Sequence, residues 1–382
     1  MKIVMIHPHD IWSDQEPWTS RIRNIARELV RLGHEVRIVY FAYPGCEHHE
    51  PQEDVFMSFK LNRSRRASFK NIYEVTKHAR WADIIHFQKC FAHASVPAVC
   101  AHIFTNKPLH YDWDDWEIQI YNFLRPSELV GKYIEYVENS LPSFVDTITV
   151  ASEGLRELAI TLGFPAERIF KGHVCVDLEL FKPVVDGKVI KEKFGITKPV
   201  VMYMGQLHGG QYADLFIKTA TQMMDQDVLF IILGSGNREQ LLIQEAVESN
   251  LADRMIFVGA VAHEEIPQYL AVADVTVACF EDNDITRHKS PLKVVEYMAC
   301  GKAIVASDVG EVKSMLNGCG VLAKPGDVGS LRDGILDLLH NEEKRKKLEK
   351  LARKNAEKNF AWSVTAKNML EAYKMAMKLY VR

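Results

Sequence analysis

The feature that most constrains the fold of this chain is a repeated alternation of short apolar runs with amphipathic stretches. The run Lys2–Ile6 is followed by Ser20–Leu32, whose apolar residues recur with helical spacing. Gly33 ends this stretch, and a second apolar run, Glu35–Phe41, follows it. Two more runs of strand length lie downstream, at 83–87 and 146–151. This order predicts parallel strands joined by helices, with helices on both faces of the sheet.

A second block of apolar runs begins after residue 197. Its runs are all of strand length and alternate with helical patterns; they lie at 199–205, 228–236, 254–259, 274–280, 302–307 and 320–326. The stretch 181–198 is polar and interrupted by Pro and Gly, so it is the predicted linker. The chain has 382 residues, which exceeds the size at which a single core stops growing, about 250–300 residues. The sequence therefore predicts two doubly wound domains with a ligand cleft between them.

Charge and cysteine content indicate the cellular compartment of the protein and the classes of partner that it lacks. The formal net charge is -3, so no overall basic field attracts nucleic acid. The seven cysteines are scattered and never form a C-x-x-C pair, which favours a reducing compartment over a disulfide framework or a zinc site. The apolar run at Ile3–Ile6 is too short for a signal peptide or a membrane span. These features predict a cytoplasmic protein.

The segment "RHKSPLKVVEYMACG", at 287–301, combines a helix start with several cations and one acid. Pro291 suits the first turn of a helix, which places Glu296 about one turn inside it. There its carboxylate can accept hydrogen bonds from the two hydroxyls of a ribose. The free N–H groups among residues 290–293 form an anion site at the positive end of the helix, and Lys289 and Lys293 strengthen it. The alternative is that Glu296 only pairs with a nearby lysine on a surface helix.

Several motifs extend over nearly the whole chain and resemble the family 4 glycosyltransferases. In the second half they are "VVMYMGQL", "ILGSGNREQL", "IFVGAVAHEEIPQYLAVADVTV" and "SPLKVVEYMACGKAIVASDVGEVKSML". In the first half they are "MKIVMI", "RNIARELVRLGHEVRIV", "ADIIHF" and "VCVDLELFKP". The "EYMACGKAIVASDVG" segment is the most specific of them. The resemblance implies a GT-B fold, in which two Rossmann-like domains of α/β class face a cleft.

The resemblance also implies an activity and a division of labour. It implies a metal-independent, retaining transfer of a sugar from a nucleotide diphosphate sugar, UDP- or GDP-linked, with no other cofactor. The acceptor is expected to be a glycan, a lipid-linked molecule or a small molecule, and the protein is expected to contact the inner membrane surface peripherally. Residues 1–185, joined by a C-terminal helix at about 364–382, would bind the acceptor. Residues 198–363 would bind the donor.

The donor motif of the family has two glutamates separated by seven residues. Glu296 matches the second, which holds the ribose, whereas His288 stands at the position of the first. Gln206 and Gln211 stand where the family has an arginine and a lysine, and neutral amides cannot offset the charge of a diphosphate. The other donor-side residues implied by the match are Gly205, Gly234, Ser290 and Leu292.

The cations beside Glu296 are the nearest candidates to replace the two that are missing. Arg287, His288, Lys289 and Lys293 lie within one short segment. Direct contact of at least one lysine with the diphosphate is expected, because both lie at a helix start that attracts anions. The alternative is that these side chains line the rim and only steer anions towards the site.

The acceptor side is predicted in "LHYDWDDWEIQIYNF". Asp114 and Asp115 follow a strand that ends at Trp113, and strand ends are where sites gather in such sheets. Asp114 is the predicted contact of the sugar or the attacking hydroxyl, and the aromatic side chains suit stacking on sugars. With Asp112, these acids could alternatively suggest a divalent metal, but the resemblance argues against one. Further acceptor-side candidates are Trp18, Thr19, Arg21 and His86.

Two acceptor-side features have alternative interpretations. The basic stretch 60–71 either binds anionic lipid head groups or a lipid diphosphate, or is a solvated loop. His86 lines the acceptor side with Lys89, or is a core histidine. For the whole chain, the departures at Gln206, Gln211 and His288 keep open a non-catalytic nucleotide-sugar-binding protein. A GT-B-fold sugar-nucleotide epimerase is a third option, but no acid/base constellation for it is apparent in the sequence.

Overall fold

A computed structural model describes residues 1–13, 19–43, 54–123, 127–208 and 212–380. They form two compact units: Met1–Val174 together with Trp362–Arg382, and Cys175–Ala361. The first unit ends before the predicted boundary at 185 because the following residues bond within the second unit. The Val176 N–H donates to the Phe360 carbonyl at 2.9 Å, and the Arg353 guanidinium donates to the Phe181 carbonyl at 2.8 Å.

Each unit contains one parallel sheet, which confirms the two predicted α/β domains. The first sheet has the order β3-β2-β1-β4-β5-β6-β7, with strands β1 (Lys2–His7), β2 (Glu35–Ala42), β3 (Met57–Asn62), β4 (Ile84–Gln88), β5 (Leu109–Trp113), β6 (Thr147–Val150) and β7 (Ile169–Lys171). The second has the order β10-β9-β8-β11-β12-β13, with strands β8 (Val200–Met204), β9 (Leu229–Leu233), β10 (Met255–Gly259), β11 (Val275–Ala278), β12 (Ala303–Ser307) and β13 (Val321–Ala323). The central strands are almost wholly buried, as expected for parallel sheets covered on both faces.

Helices follow most strands. In the first part of the chain they are α1 (Ser20–Arg31), α2 (Ser68–Trp81), α3 (Ala92–Thr105), α4 (Glu117–Phe123), α5 (Glu128–Ser140) and α6 (Glu153–Thr161). In the second unit they are α7 (Lys188–Phe194), α8 (Ala213–Thr221), α9 (Glu239–Glu248), α10 (Ile266–Ala271), α11 (Asp284–Arg287), α12 (Leu292–Ala299), α13 (Val312–Leu316), α14 (Val328–His340) and α15 (Glu342–Asn359). The last helix is α16 (Trp362–Tyr380). None of the helices among the described residues combines the length and the apolar character needed to cross a membrane.

The C-terminal helix α16 packs on the first unit, as predicted. It lies against α1 and strands β5 to β7. The Thr365 hydroxyl donates to the His173 carbonyl at 3.1 Å, and the Tyr373 hydroxyl lies 2.8 Å from Nδ1 of His86. His86 is fully buried, and burial, reinforced by the charge of Arg21, lowers its pKa to about 3. The structure therefore places His86 in the core, which agrees with the second interpretation of this residue and not with an acceptor-side role.

A buried ion pair joins α1 to β5 and to the end of β7. The Arg21 guanidinium donates to both carboxylate oxygens of Asp112 at 2.8 Å. It also donates to the carbonyl of Gly172 at 2.8 Å and to that of His173 at 2.9 Å. Thr149 adds a hydroxyl bond to Asp112 at 2.7 Å. Arg21 is thus engaged inside the first unit and does not act as the acceptor-side cation that the sequence predicted.

The basic stretch 60–71 is not a single loop. Its first residues complete β3, an edge strand whose exposed side chains include Met57 and Lys60. A 3₁₀ turn at Arg65–Ala67 follows, and α2 begins at Ser68. The sequence analysis missed this strand because edge strands carry polar and charged side chains on their open side, which weakens the apolar pattern.

We expect Asp112→Asn to lower the free energy of unfolding of the first unit by about 3–5 kcal/mol, because Arg21 would stay buried without its counter-charge. Urea unfolding followed by tryptophan fluorescence is a suitable measurement, since all six tryptophans lie in the first unit. The control is Glu153→Gln, which breaks the exposed Arg156–Glu153 pair at 3.2 Å and should cost no more than about 1 kcal/mol. Equal effects of the two changes would contradict the structural role of Arg21.

Candidate functional site

Two backbone segments of the second unit come so close together that only glycine fits at one of them, and the end of a lysine side chain lies beside the other. Gly205 follows β8 with a φ of +151°, and Gly234 follows β9 with a φ of +140°. A Cβ on Gly234 would lie 1.9 Å from the Gly205 carbonyl oxygen. A Cβ on Gly205 would lie 2.7 Å from Nζ of Lys293, on α12. The structure therefore brings together three of the predicted donor-side residues, Gly205, Gly234 and Lys293, at the carboxyl ends of the strands.

Lys293 has an ammonium group that is buried between aromatic rings. Its Nζ donates to the Tyr203 hydroxyl at 3.1 Å and lies 4.1 Å from the centroid of the Tyr203 ring and 5.6 Å from that of Phe280. Burial and, to a smaller extent, the neighbouring charge of Lys289 lower the pKa of Lys293, whereas Cys279 and Glu296 raise it. The net result is a pKa of about 7. No carboxylate among the described residues forms an ion pair with it. A bound anion would supply the missing counter-charge.

Glu296 lies one turn further along α12 and is held by a residue that the sequence analysis did not identify. Its carboxylate is buried, and Oε1 lies 2.9 Å from Nε2 of His263. Burial by itself lowers the pKa of His263, but the hydrogen bond and charge of Glu296 outweigh it and raise the pKa above its ordinary value. His263 also packs against Phe181, with ring centroids 5.1 Å apart. The alternative interpretation, in which Glu296 pairs with a nearby lysine, is therefore wrong.

The other cations of the 287–301 segment have different surroundings. Arg287 is exposed and pairs with Asp282, with Nε and Oδ1 2.6 Å apart, so its charge is compensated locally. Nδ1 of His288 lies 2.6 Å from the Asp284 carbonyl oxygen. Lys289 is half-buried, and together with burial and Lys293 it lowers the pKa of His208. Positive charge therefore collects at Lys289 and Lys293 and not at Arg287.

The remaining predicted donor-side residues are uncharged. Ser290 is buried, and its hydroxyl donates to the sulfur of Met315 at 3.7 Å. Leu292 begins α12 and is partly exposed. Gln206 is exposed in the loop after Gly205. Gln211 lies outside the described residues, as does Trp18 of the predicted acceptor side.

In the first unit, one lysine holds three carboxylates after β4 and β5. Nζ of Lys89 lies 3.3 Å from Oδ1 of Asp114, 3.4 Å from Oδ2 of Asp115 and 2.5 Å from Oε1 of Glu117. The Gln88 side-chain amide donates to the other oxygen of Asp114 at 2.6 Å. Burial by itself would lower the pKa of Lys89, but the three carboxylates raise it well above its ordinary value. The backbone of Lys89 is left-handed, with a φ of +64°.

This cluster bears on the alternative of a metal site. Oxygen atoms of Asp114, Asp115 and Glu117 lie within 4.8 Å of one another, a spacing that could suit an ion. The ammonium of Lys89, however, already supplies a positive charge to all three carboxylates. Asp112, the third acid of the sequence-based metal hypothesis, is directed to Arg21. The arrangement fits three carboxylates held by one lysine better than a metal ligand set.

Trp113 and Thr19, two of the predicted acceptor-side residues, are buried. The indole N–H of Trp113 donates to Oε1 of Glu138 at 3.0 Å. Glu138 also accepts the backbone N–H groups of Glu117 and Ile118 at 3.0 Å, and so connects α5 to the start of α4. Burial raises the pKa of Glu138 to about 8, although these hydrogen bonds oppose the shift. Trp113 therefore supports the Asp114 loop from below, and Thr19, fully buried before α1, is equally inaccessible.

Four residues of the two sites carried little sequence signal. Tyr203 is the fourth residue of a buried strand, and His263 begins a short 3₁₀ helix four residues after β10. Glu117 and Glu138 resemble ordinary helix acids in the sequence. Only Glu117 could have been found from the pattern, because it follows Asp114 and Asp115 at the same strand end.

Comparison with known proteins gives matches for both halves of the chain. Residues 19–180 match the family described as Glycosyltransferase Family 4, and residues 187–355 match Glycosyl transferases group 1. A D-inositol 3-phosphate glycosyltransferase from Mycobacteroides abscessus is 28% identical over 54% of this chain. That match spans about half, 46%, of the length of the relative.

Two further similarities extend over most of the chain. An N-acetyl-alpha-D-glucosaminyl L-malate synthase from Bacillus anthracis is 20% identical, with 88% of each chain covered. The solved structure of HepE from Anabaena in complex with UDP has a TM-score of 0.75 and 19% identity, and covers 97% of this chain and 99% of its own. The likeness of structure confirms the GT-B fold.

We expect Lys89→Met to destabilise the first unit, and to do so more strongly at about pH 8 than at about pH 5. Without the ammonium, the three carboxylates repel one another, so their folded-state pKa values rise above the unfolded values. The folded state then binds more protons than the unfolded state, and stability recovers as the pH falls. The measurement is the denaturant midpoint of wild type and variant at both pH values. A loss that is the same at the two pH values would contradict the charge-compensating role of Lys89.

Proposed function

Because the chain belongs to glycosyltransferase family 4, we propose that it transfers a sugar from a nucleoside diphosphate sugar to an acceptor hydroxyl. The observation that carries this proposal is the position of Lys293 and Glu296 one turn apart on α12. The former is a buried cation that lacks a carboxylate partner, and the latter is a carboxylate one turn away. A nucleoside diphosphate offers both complements, since its phosphates are anionic and its ribose presents two adjacent hydroxyls.

The donor would lie across the start of α12. Its diphosphate would occupy the space beside Gly205, where the absence of a side chain lets an anion approach the Lys293 ammonium. Lys289 and the positive end of α12 would add to the attraction. The ribose hydroxyls would donate to Glu296, whose orientation is fixed by His263. Uridine diphosphate is the first donor nucleotide to test, because the solved complex of HepE contains UDP; guanosine diphosphate is the second.

The acceptor hydroxyl would be received by the first unit near Asp114. The carboxylate of Asp114 is oriented from two sides, by the Gln88 amide and by the Lys89 ammonium. Asp115, which is the more exposed of the two, would contact an outer hydroxyl of the same acceptor. Positioning of this kind converts binding energy into rate, because the reacting atoms are held at a fixed distance.

The proposed chemistry retains the anomeric configuration and uses no metal. The bond between the sugar C1 and the phosphate oxygen breaks, and a bond from C1 to the acceptor oxygen forms on the same face. The acceptor proton passes to the departing phosphate oxygen, so no protein nucleophile is required. Lys293 would stabilise the charge that develops on the leaving diphosphate, a role in which a single preorganised donor is worth about 2.7–4 kcal/mol.

The acceptor is proposed to be a glycan, a lipid-linked molecule or a small molecule. A cytoplasmic protein that contacts the membrane peripherally would meet a lipid-linked acceptor at the bilayer surface.

A second candidate function is a nucleotide-sugar-binding protein without turnover. Gln206 and His288 favour it, because both replace side chains that the family uses on the donor.

A direct test is to incubate the protein with UDP- and GDP-linked sugars and an acceptor panel, and to measure both nucleotide release and nucleotide affinity. We expect Glu296→Ala to lower nucleoside diphosphate affinity by about 10–100-fold, since it removes hydrogen bonds to a charged group. The matched control is Glu265→Ala, at an exposed acid near His263. Binding without turnover would support the second candidate, and unchanged affinity in the Glu296 variant would refute the donor site.

The affinity for a nucleoside diphosphate should fall as the pH rises through about 7, the value to which burial lowers the pKa of Lys293. Only the protonated amine attracts the diphosphate, so deprotonation should weaken binding by about tenfold or more. Isothermal titration over this range measures the effect. In Lys293→Met the affinity should be low and lack this pH dependence, whereas the affinity for the nucleoside alone should be almost unchanged. An identical pH profile in the variant would show that another group is responsible.

A further inference from the structure

The outward face of α2 combines aromatic rings with cations. Phe69 is 89% exposed and Tyr73 is 63% exposed, one turn further along the helix. The helical spacing places Lys70, Lys77 and Arg80 on the same side, and all three are exposed. The opposite side is buried and contains Val75 and Ala79, among others. The helix therefore presents to solvent large apolar groups that a soluble surface helix ordinarily keeps inside.

The neighbouring helix α3 extends this apolar surface. It packs against α2 and exposes Ile103 by 62%, Phe104 by 65% and Val96 by 44%. Its sequence contains neither an acidic residue nor a lysine or arginine. Together α2 and α3 form a two-helix layer, which we call the α2–α3 face.

The α2–α3 face is strongly depleted in acids. Glu74 is its only acidic residue, and it lies 3.9 Å from Lys77. Arg66, in the turn before α2, adds a further exposed cation. The chain as a whole has 50 acidic and 47 basic residues, so the positive charge of this face is local. Such a face attracts an anionic surface over the range of the Debye length.

A second apolar face of the first unit, on α5, differs from the α2–α3 face in its charge. Helix α5 also exposes large side chains, with Leu129 at 80% and Tyr136 at 72%. Its net charge, however, is negative, since its single cation, Lys132, pairs with Glu128 at 2.7 Å, and Glu135 and Glu138 add two more acids. The face of α5 therefore offers apolar area without net positive charge.

We propose that the α2–α3 face docks on the surface of an anionic lipid bilayer. Lysine and arginine side chains would contact the lipid phosphates while Phe69, Tyr73, Ile103 and Phe104 enter the boundary between head groups and acyl chains. Exposed aromatic groups amid cations are the combination that binds helices in the plane of a membrane. This inference names the surface that would make the peripheral membrane contact of the proposed function. It rests on that proposed function only for its biological role. Binding to vesicles needs no nucleotide sugar, so its failure is distinguishable from a failure of sugar transfer.

The test is co-sedimentation of the full chain with vesicles of phosphatidylcholine, with and without phosphatidylglycerol. We expect binding only when phosphatidylglycerol is present, and weaker binding at high salt. Lys70→Glu with Lys77→Glu should lower the vesicle affinity by about thirtyfold or more, since each basic residue near an anionic membrane contributes about a factor of five. Phe69→Ser with Tyr73→Ser should also weaken binding, and more so at high salt, where only the apolar term remains.

The matched control is Leu129→Ser with Tyr136→Ser on α5, which removes a similar apolar area from the acidic face. This variant should bind vesicles like wild type, and all variants should keep the wild-type thermal midpoint because every changed side chain is exposed. Equal binding to phosphatidylcholine alone, or equal losses in the α2 and α5 variants, would overturn the proposal. So would concentration-dependent dimers that the Phe69 and Tyr73 changes abolish, since the face would then be covered by a second copy of the chain.

Discussion

A lysine ammonium buried without a carboxylate partner is the interaction on which the rest of the donor-side site depends. Desolvation makes the charged form of Lys293 expensive, and the Tyr203 hydroxyl and two aromatic rings compensate only part of that cost. The group therefore titrates near neutrality and is poised to gain from a bound anion. Gly205 leaves space beside this ammonium, because a Cβ there would lie 2.7 Å from Nζ of Lys293.

The two units treat buried charge in opposite ways. In the first unit, Arg21 is matched by Asp112, and Lys89 is matched by three carboxylates, so the charges are satisfied within the fold. In the second unit, no carboxylate among the described residues forms an ion pair with Lys293. On the proposed function, the fixed carboxylates of the first unit would suit the hydroxyls of an acceptor. Lys293 would then attract the donor phosphate in spite of the neutral side chain at Gln206.

The fold could be predicted from the sequence, because it depends on local patterns. Apolar runs of strand length identify buried parallel strands wherever they are placed. The spacing also placed Glu296 about one turn inside a helix, whereas its proposed ribose-binding role rests on the family resemblance. The predictions were weaker where long-range contacts decide. His263 approaches Glu296 from 33 positions away in the sequence. Arg287, a candidate to replace the missing cations, pairs instead with Asp282. His86 and Arg21, two acceptor-side candidates, are buried in the first unit. No local pattern shows which side chain will meet which.

The central claim is that a nucleoside diphosphate binds at the start of α12, with its phosphates on Lys293 and its ribose on Glu296. A crystal structure of the full chain with uridine or guanosine diphosphate tests it most directly. The account predicts phosphate oxygens within hydrogen-bond distance of Nζ of Lys293 and ribose hydroxyls within that distance of the Glu296 carboxylate. A nucleotide bound elsewhere, or one whose phosphates lie on Gln206 while Lys293 stays hydrogen-bonded only to Tyr203, would contradict it.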